Sequence, residues 1–460
     1  MSKDLFHFEI SERKILLRVL DVIMLISSVL ILNTFFEKNY IYISDYIFLW
    51  LVVYILYYLF FGAVFELYVL KKAESRFIVF KNLILSLTVT TLLYLLTPYI
   101  TPTLPQNRIS ILYLFSSNLT LLTLWRFSYI TFIDAPRFYK RVIFVGENYD
   151  VEDLIEGIHK YDKNFHVIGY LDTKENKSHK KNKVKSYTID NINEVFNKNY
   201  IGEIIVANSY DGVSTEIFNL LAPQLNKGIP IKPYYKVYEE VSKKILLKDV
   251  ASDFYVYFPF SRSNQNKLYN FFNRTLDILV SLIGIVVMII IIPIILITNK
   301  FLNKGKLFYR QKRVGRFNEL FTIIKFRTMV KDAERNGAIW AEKNDYRITK
   351  FGKILRRTRI DELPQFINIL KGEMSLIGPR PERPEFIHKL KKNIPFYETR
   401  QIIKPGLTGW AQVNAKYSTS EDETLEKLQF DLYYIKERSV YLDFRILVKT
   451  ISTIIFLRGQ

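Results

Sequence analysis

The chain has no cysteine and only five histidines in 460 residues: His7, His159, His166, His179 and His388. The first absence excludes a disulfide framework, a thiolate metal site and a cysteine nucleophile. The histidines show no His-x-x-x-His or comparable spacing, which argues against a zinc centre. Acidic side chains are in deficit too, with 45 Asp/Glu against 65 Lys/Arg, a formal net charge of +20. That excess suits an anionic partner: nucleic acid, anionic lipid or a phosphorylated substrate. Apolar residues are plentiful. At 49% hydrophobic and 15% aromatic the chain is no disordered protein, and its length suggests about three domains.

Four segments, residues 15–36, 46–65, 77–96 and 109–133, are long enough to span a hydrocarbon core of about 30 Å as helices. Arg13, Lys14 and Arg18 attend the first, Lys71, Lys72, Arg76 and Lys81 surround the loop before the third, and Arg137, Lys140 and Arg141 follow the fourth. The alternate loops carry only Lys38 and Arg108. The positive-inside rule therefore places the N-terminus, the second loop and everything beyond the fourth segment in the cytoplasm. No Ala-x-Ala-like cleavage signature follows the first segment, so it is expected to be retained. Asp21 and Arg126 lie near segment ends and are expected to snorkel to the interface.

Residues 137–262 alternate short apolar strands with amphipathic helices, the pattern of a small Rossmann-like parallel α/β domain. The first turn, Gly146-Glu147-Asn148-Tyr149-Asp150-Val151-Glu152-Asp153, has one glycine where a dinucleotide fingerprint needs three. Its four carboxylates would meet a pyrophosphate at the helix N-terminus, so a regulatory or scaffolding role is the plainer reading.

A fifth apolar segment, residues 278–298, contains no charge and is interrupted by Pro293. Arg262, Lys267 and Arg274 precede it, and Lys300, Lys304, Lys306 and Arg310 follow it. Basic flanks at both ends predict a re-entrant helix over about residues 275–298 that breaks near Pro293 and returns to the same face.

Residues 300–460 hold 33 Lys/Arg and 18 Asp/Glu, and within them residues 300–360 hold 18 against 5. An apolar strand ends in Lys325-Phe326-Arg327-Thr328-Met329. A basic helix ending Arg356-Arg357-Thr358-Arg359-Ile360 runs into Asp361-Glu362-Leu363-Pro364-Gln365. Opposite charge beside the two carboxylates would hold them ionised. Asp361 also stands where a helix N-cap belongs, with Pro364 in the first turn, so capping and chemistry both remain open. Gly378-Pro379-Arg380-Pro381 and Lys404-Pro405-Gly406-Leu407-Thr408-Gly409-Trp410-Ala411-Gln412 add two rigid loops suited to an anionic ligand.

From residue 273 to 453 the sequence resembles the bacterial sugar transferases of the monotopic phosphoglycosyl transferase superfamily, in particular the long polyprenyl-phosphate hexose-1-phosphate transferases. The motifs just quoted carry the resemblance, with Gly372-Glu373-Met374-Ser375-Leu376-Ile377 ahead of Gly378, and Asp431-Leu432-Tyr433-Tyr434 and Asp443 after them. Departures are Ile292-Pro293 where Ser-Pro is common, Gly305-Lys306 for Gly-Pro, and Asp345-Tyr346-Arg347 for Asp-Pro-Arg.

The resemblance implies transfer of a sugar 1-phosphate from a UDP-sugar to undecaprenyl phosphate, with release of UMP. Asp361 would be the nucleophile and form a covalent phosphosugar intermediate. Glu362 would bind Mg²⁺, and Lys325, Arg327, Arg356 and Arg380 would hold phosphates. The product would enter capsule, exopolysaccharide or O-antigen repeat-unit synthesis. The expected architecture is an α/β membrane protein of the bacterial inner membrane. It comprises a four-helix transmembrane bundle (1–136), the Rossmann-like domain (137–262) and an α/β catalytic domain with the re-entrant helix (263–460) on the cytoplasmic face. A homo-oligomer is compatible with this reading. Nucleic acid becomes the weaker explanation of the charge. Two other classes compete: a nucleotide-sugar oxidoreductase or dehydratase, to which the Tyr346/Lys350 spacing would belong, and a non-enzymatic scaffold for anionic lipid.

Overall fold

The structure, a computed structural model, describes residues 10–35, 40–73, 75–105, 107–132, 140–146, 151–162, 165–171, 184–198, 201–207, 215–247, 266–303, 305–330, 333, 345–415 and 421–456. They divide into two compact units, residues 1–234 and 235–460.

The first unit begins with α1 (Ile10–Phe35), α2 (Ile47–Val64), a single turn α3 (Leu70–Ala73), α4 (Arg76–Leu95) and α5 (Ile109–Phe132). Of these, α1, α2 and α4 are long and apolar enough to cross a membrane. α5 has comparable length but more hydroxyls and amides, and it packs between α1 and α4. Apolar helices gain nothing from mutual burial in lipid, so their contacts depend on close packing and polar pairs. Such pairs are present: Ser28 Oγ bonds Ser117 Oγ at 2.8 Å, and Asn118 donates to Tyr54 at 3.2 Å.

The largest polar cluster overturns the snorkelling expectation for Asp21 and Arg126. Both are enclosed, at 0% and 1% exposure. Arg126 grips Asp21 through Nη2–Oδ2 at 2.5 Å and Nε–Oδ1 at 3.0 Å. Tyr58 and Tyr68 each donate to Asp21 Oδ2 at 3.1 Å, and Arg126 Nη1 donates to Leu67 O. A charge that meets a full set of partners inside the bundle has no reason to reach for water. Arg126→Leu should therefore destabilise the bundle by about 3–5 kcal/mol, because it strands Asp21. Thermal unfolding in detergent checks this, and the Asp21→Leu/Arg126→Leu pair should lose less than either single change.

The rest of this unit is a five-stranded parallel sheet in the order β3-β2-β1-β4-β5. The strands are β1 (Lys140–Val145), β2 (Phe165–Leu171), β3 (Ser186–Tyr187), β4 (Glu203–Val206) and β5 (Ile231–Pro233), with α6 (Val151–His159), α7 (Ile189–Lys198) and α8 (Thr215–Asn226) between them. Central β1 is apolar on both faces, Val142 to Val145 being fully buried, as a parallel strand covered by helices must be. This is the Rossmann-like alternation read from the sequence. The two-residue edge strand β3 is an addition that no pattern announced. Most of the first turn after β1, at residues 147–150, lies outside the described residues.

The second unit starts within α9 (Tyr234–Ser242), which with the residues just after it is stitched to the C-terminal helices. Lys244 pairs with Glu426 at 2.8 Å, Lys436 with Glu239 at 2.8 Å, and Trp410 Nε1 donates to Lys243 O at 2.9 Å.

Next comes α10 (Lys267–Leu302), 36 residues that also suffice to cross a membrane. The helix is continuous through Pro293, and the interruption expected there does not occur. One lost backbone bond bends a helix without ending it when residues on both sides are packed. Here Met288 and Ile295 both join the cluster of Phe326 and Leu355. The Asn266 side chain caps the helix, accepting from Leu268 N and Tyr269 N.

One side of α10 is docked along its whole length. Tyr269 donates to Asp443, and Arg274 donates to Ile369 O and Leu370 O at 2.7 Å each. Asp277 accepts from Leu376 N, and Asn303 donates to Arg327 O. Gly284 lies against Phe366, where a Cβ would come within 2.3 Å of the ring. The opposite side, including Leu279, Ile283, Ile290, Ile294, Ile297 and Phe301, is exposed and apolar.

The remaining elements are the antiparallel hairpin β6 (Phe308–Val314) and β7 (Leu320–Phe326), α11 (Lys350–Arg357), α12 (Gln365–Lys371), β8 (Ser375–Ile377) and α13 (Pro384–Asn393). They are followed by β9 (Gly406–Thr408), α14 (Trp410–Asn414), α15 (Glu421–Glu437) and α16 (Val440–Ile455). β8 and β9 pair in parallel.

Candidate active site

Asp361 and Glu362 sit in a single 3-10 turn, Ile360–Glu362, wedged between α11 and α12. The chain enters it through Arg359 in the left-handed region, φ 59°, which no ordinary continuation of α11 would adopt. That reversal aims the Arg359 guanidinium back at Glu362, and Nη1 meets Oε2 at 3.2 Å. The N-cap of α12 is Pro364, with no side-chain cap bond, so Asp361 is not the capping residue its position suggested.

Two further cations reach Glu362 from other elements. Lys325, at the end of β7, places Nζ 3.2 Å from Oε1. β7 is locked to α12 because Asn368 accepts from Ile324 N and donates to Thr322 O. Arg380 approaches from the loop after β8, with both Nη1 and Nη2 at 3.2 Å from Oε1.

The glycines of the two rigid loops hold Arg380 in place. Gly378 N donates to Thr408 O and Gly406 N to Pro379 O, both at 2.9 Å. A Cβ on Gly378 would lie 2.3 Å from Lys404 O, and one on Gly409 would lie 2.1 Å from Gly378 O. These glycines thus serve backbone interlock. Arg400 then fixes the Arg380 carbonyl at 3.1 Å and is itself held by Asp431 at 2.7 Å. Asp443 accepts from Tyr434 and Tyr269. The late motifs are therefore supports.

The two carboxylates are both buried but not alike. Burial alone would raise both. For Glu362 the charges of Lys325, Arg380 and Arg359 overcome burial and hold its pKa well below the usual carboxylate range. Asp361 goes the other way, pushed up to about 6 by burial and then by the negative charge of Glu362, against the pull of Lys325, Arg356 and Arg380. The uniform ionising effect expected of the neighbouring arginines is thus split between the two side chains. Asp361 Oδ1 is buried with no hydrogen-bond partner, as is Gln365 Nε2 one turn on. Burial also lowers Lys325 to about 8.

Arg356 contributes charge to Asp361 while its Nε donates to Thr328 Oγ1 at 3.0 Å. Arg327 is turned elsewhere, with Nε donating to Lys306 O. Arg359 was legible as a charged neighbour of the pair, three residues before Glu362, but its direct grip depends on the left-handed turn. In Asp345-Tyr346-Arg347 the tyrosine points out, 92% exposed, while Asp345 and Arg347 form a buried bidentate pair. Tyr346 precedes α11 and Lys350 begins it, so the Tyr-x-x-x-Lys spacing does not lie on one helical face.

No group of three or more potential metal-ligating side chains occurs among the described residues. Mg²⁺ rarely requires one, since it keeps several waters and takes one or two carboxylates together with substrate phosphates. The unpartnered Asp361 Oδ1 fits that mode, whereas both oxygens of Glu362 are already held by Lys325, Arg380 and Arg359.

An apolar-faced α/β unit with a buried carboxylate pair ringed by cations defines a membrane protein whose site is built for anionic ligands. Residues 268–457 match the family described as bacterial sugar transferase. The chain is 45% identical over 188 residues to a UDP-N-acetylgalactosamine-undecaprenyl-phosphate N-acetylgalactosaminephosphotransferase of Aeromonas hydrophila, covering 41% of this chain and 44% of that one. It is 39% identical over 200 residues to a UDP-glucose:undecaprenyl-phosphate glucose-1-phosphate transferase of Klebsiella pneumoniae, 42% of each. It is 36% identical over 156 residues to the uncharacterized sugar transferase EpsL of Bacillus subtilis (strain 168), 33% of this chain and 71% of that one. The chain belongs to the bacterial sugar transferase family. The matched region spans less than half the length of the first two relatives.

Proposed function

We propose that the protein transfers a sugar 1-phosphate from a UDP-sugar to undecaprenyl phosphate, releasing UMP, and so initiates capsule, exopolysaccharide or O-antigen repeat-unit synthesis. The observation that carries this reading is the division of labour in the carboxylate pair. Glu362 is engaged by three cations, while Asp361 keeps an oxygen without a partner.

Asp361 attacks the β-phosphorus of the UDP-sugar, and the bond from that phosphorus to the bridging oxygen breaks. UMP leaves with the bonding pair, and the sugar phosphate remains as an acyl phosphate on Asp361. A phosphate oxygen of undecaprenyl phosphate then attacks the same phosphorus and returns Asp361 to its carboxylate. Arg380, Lys325 and Arg356 offset the repulsion between an anionic nucleophile and an anionic diphosphate. To hold Mg²⁺, Glu362 would exchange one of its three cations for the ion, which beside the open Asp361 oxygen would supply further charge neutralisation for the diphosphate. Arg327 lies one residue beyond β7 and would meet phosphate only at the edge of this cluster.

The proposed setting is the bacterial inner membrane, with the catalytic unit on the cytoplasmic face and α10 re-entrant. Thirty-six residues of straight helix would extend about 54 Å, well over the hydrocarbon thickness. Yet both ends, at Tyr269 and Asn303, are tied to the same compact unit. Anchoring at both ends, with one side docked and the other apolar and exposed, supports a placement of α10 within one leaflet without crossing. Single cysteines at Lys267 and Lys306 should both react with an impermeant maleimide only from the cytoplasmic side; labelling of either from outside would overturn re-entry.

Purified protein with undecaprenyl phosphate and Mg²⁺ should release UMP from at least one member of a panel including UDP-glucose, UDP-galactose and their N-acetyl forms. Release from none would refute the reaction class.

A further inference from the structure

A cavity with a volume of about 500 Å³ lies at the C-terminal end of α12. Four cations, Arg274, Arg316, Lys404 and Arg438, line it with the amides Asn270 and Asn273. The one carboxylate among its lining residues, Asp277, is already committed to Ser375 Oγ at 3.1 Å and Leu376 N at 2.8 Å.

The cavity is separate from the dyad, neither member of which lines it. Arg274 is bonded to the last turn of α12, and Asp361 precedes its first turn, so about 10 Å of helix lies between them.

Capping the C-terminus of α12 accounts for Arg274 but not for the others. Arg316 comes from the β6–β7 turn, where Nε is held by Ile402 O at 3.0 Å. Arg438 follows α15 and stacks over Tyr269 and Tyr434. Lys404 comes from the loop before β9, and a Cβ on Gly372 would lie 3.4 Å from its Nζ and 3.6 Å from Arg274 Nη2. Burial first, and then the charge of Arg274, lower the Lys404 pKa, so its charged form stands close to another cation. An anion entering here relieves that repulsion.

The neighbouring surface specifies what carries the anion. Asn270 and Asn273 belong to the first turns of α10, and residues between and beside them, Phe271, Phe272 and Leu276, are exposed. A soluble phosphate has no use for such a surface, whereas a lipid tail does.

We propose that this cavity binds the phosphate headgroup of an anionic membrane lipid, whose acyl chains lie along Phe271, Phe272 and Leu276. The proposal rests on the membrane placement of α10 and is independent of the chemistry at Asp361.

The test uses the full chain in an uncharged detergent, titrated with dioctanoyl phosphatidylglycerol, dioctanoyl phosphatidylcholine and inorganic phosphate, with lipid binding read by native mass spectrometry. Saturable binding of phosphatidylglycerol alone is expected. Arg316→Gln/Lys404→Gln should weaken it about tenfold or more, and Arg316→Lys/Lys404→Arg should retain it. A surface control, Lys389→Gln/Lys392→Gln, should leave it unchanged. Equal binding of phosphatidylcholine overturns the charge requirement, and phosphate binding as tight as the lipid's makes it a free-anion site. Equal loss in the surface control reduces it to general electrostatics. Because the comparison of headgroups uses the unaltered protein, a variant that fails to fold leaves the proposal exposed to refutation.

Discussion

Asp361→Asn should cut UMP release by about 10³-fold or more, a loss of about 4 kcal/mol of transition-state stabilisation, with the protein still folded. Asparagine preserves shape but replaces the carboxylate oxygen that would form the bond to phosphorus. The site around it should persist, since Lys325, Arg359 and Arg380 are held by Glu362 and not by Asp361. Donor binding should therefore survive while chemistry stops. A second readout separates a nucleophile from a residue that merely shapes the site. With UDP-sugar and no lipid acceptor, the unaltered protein should gain the mass of a sugar phosphate, and Asp361→Asn should gain none. Undiminished turnover in Asp361→Asn would remove this residue from the mechanism.

Glu362→Gln should cost about 10²-fold, and by another route. The change removes the charge on which three cations converge, so Lys325, Arg359 and Arg380 lose the partner that aims them. It also removes the second of the two influences that raise Asp361. The nucleophile must be ionised, so the unaltered enzyme should lose activity as pH falls through about 6, by about tenfold per unit further down. In Glu362→Gln the residual activity should keep its level to lower pH, because Asp361 loses its protons more readily without a negative neighbour. Lys325→Met should do the opposite, since Lys325 pulls Asp361 down. Rate–pH profiles of the three proteins decide the matter: identical acid limbs would show that Asp361 does not govern the rate. A thermal unfolding midpoint distinguishes lost chemistry from lost structure, as stranded buried cations can cost about 3–5 kcal/mol.

Particular residues show how far linear reading reaches. The apolar periodicity of β1, β2 and β4 was legible because a strand covered on both faces needs a continuous hydrophobic run. The basic helix followed by Asp361-Glu362 stood out as composition. What that composition did was not legible: the same arginines that suggested two ionised carboxylates produce one strongly acidic and one raised. The difference comes from Lys325 and Arg380, 37 and 18 residues away in sequence, both landing on Glu362. Asp21 and Arg126 make the same point. They are separated by 105 residues, and helix ends suggested two solvated charges, yet packing of α1 against α5 makes them one buried pair.

Local physics, legible in order along the chain, determined the long apolar helices, the parallel α/β middle region and the place of the chemical motifs. Hydropathy, strand propensity and charge density are properties of neighbours in sequence. The tertiary structure alone decided which carboxylate carries the cations and which keeps an open oxygen. It also decided that the glycines of the two loops interlock backbones and that α10 is continuous through Pro293 with both ends on one unit. Those outcomes depend on distances between segments, and burial amplifies each charge at a distance no local pattern encodes.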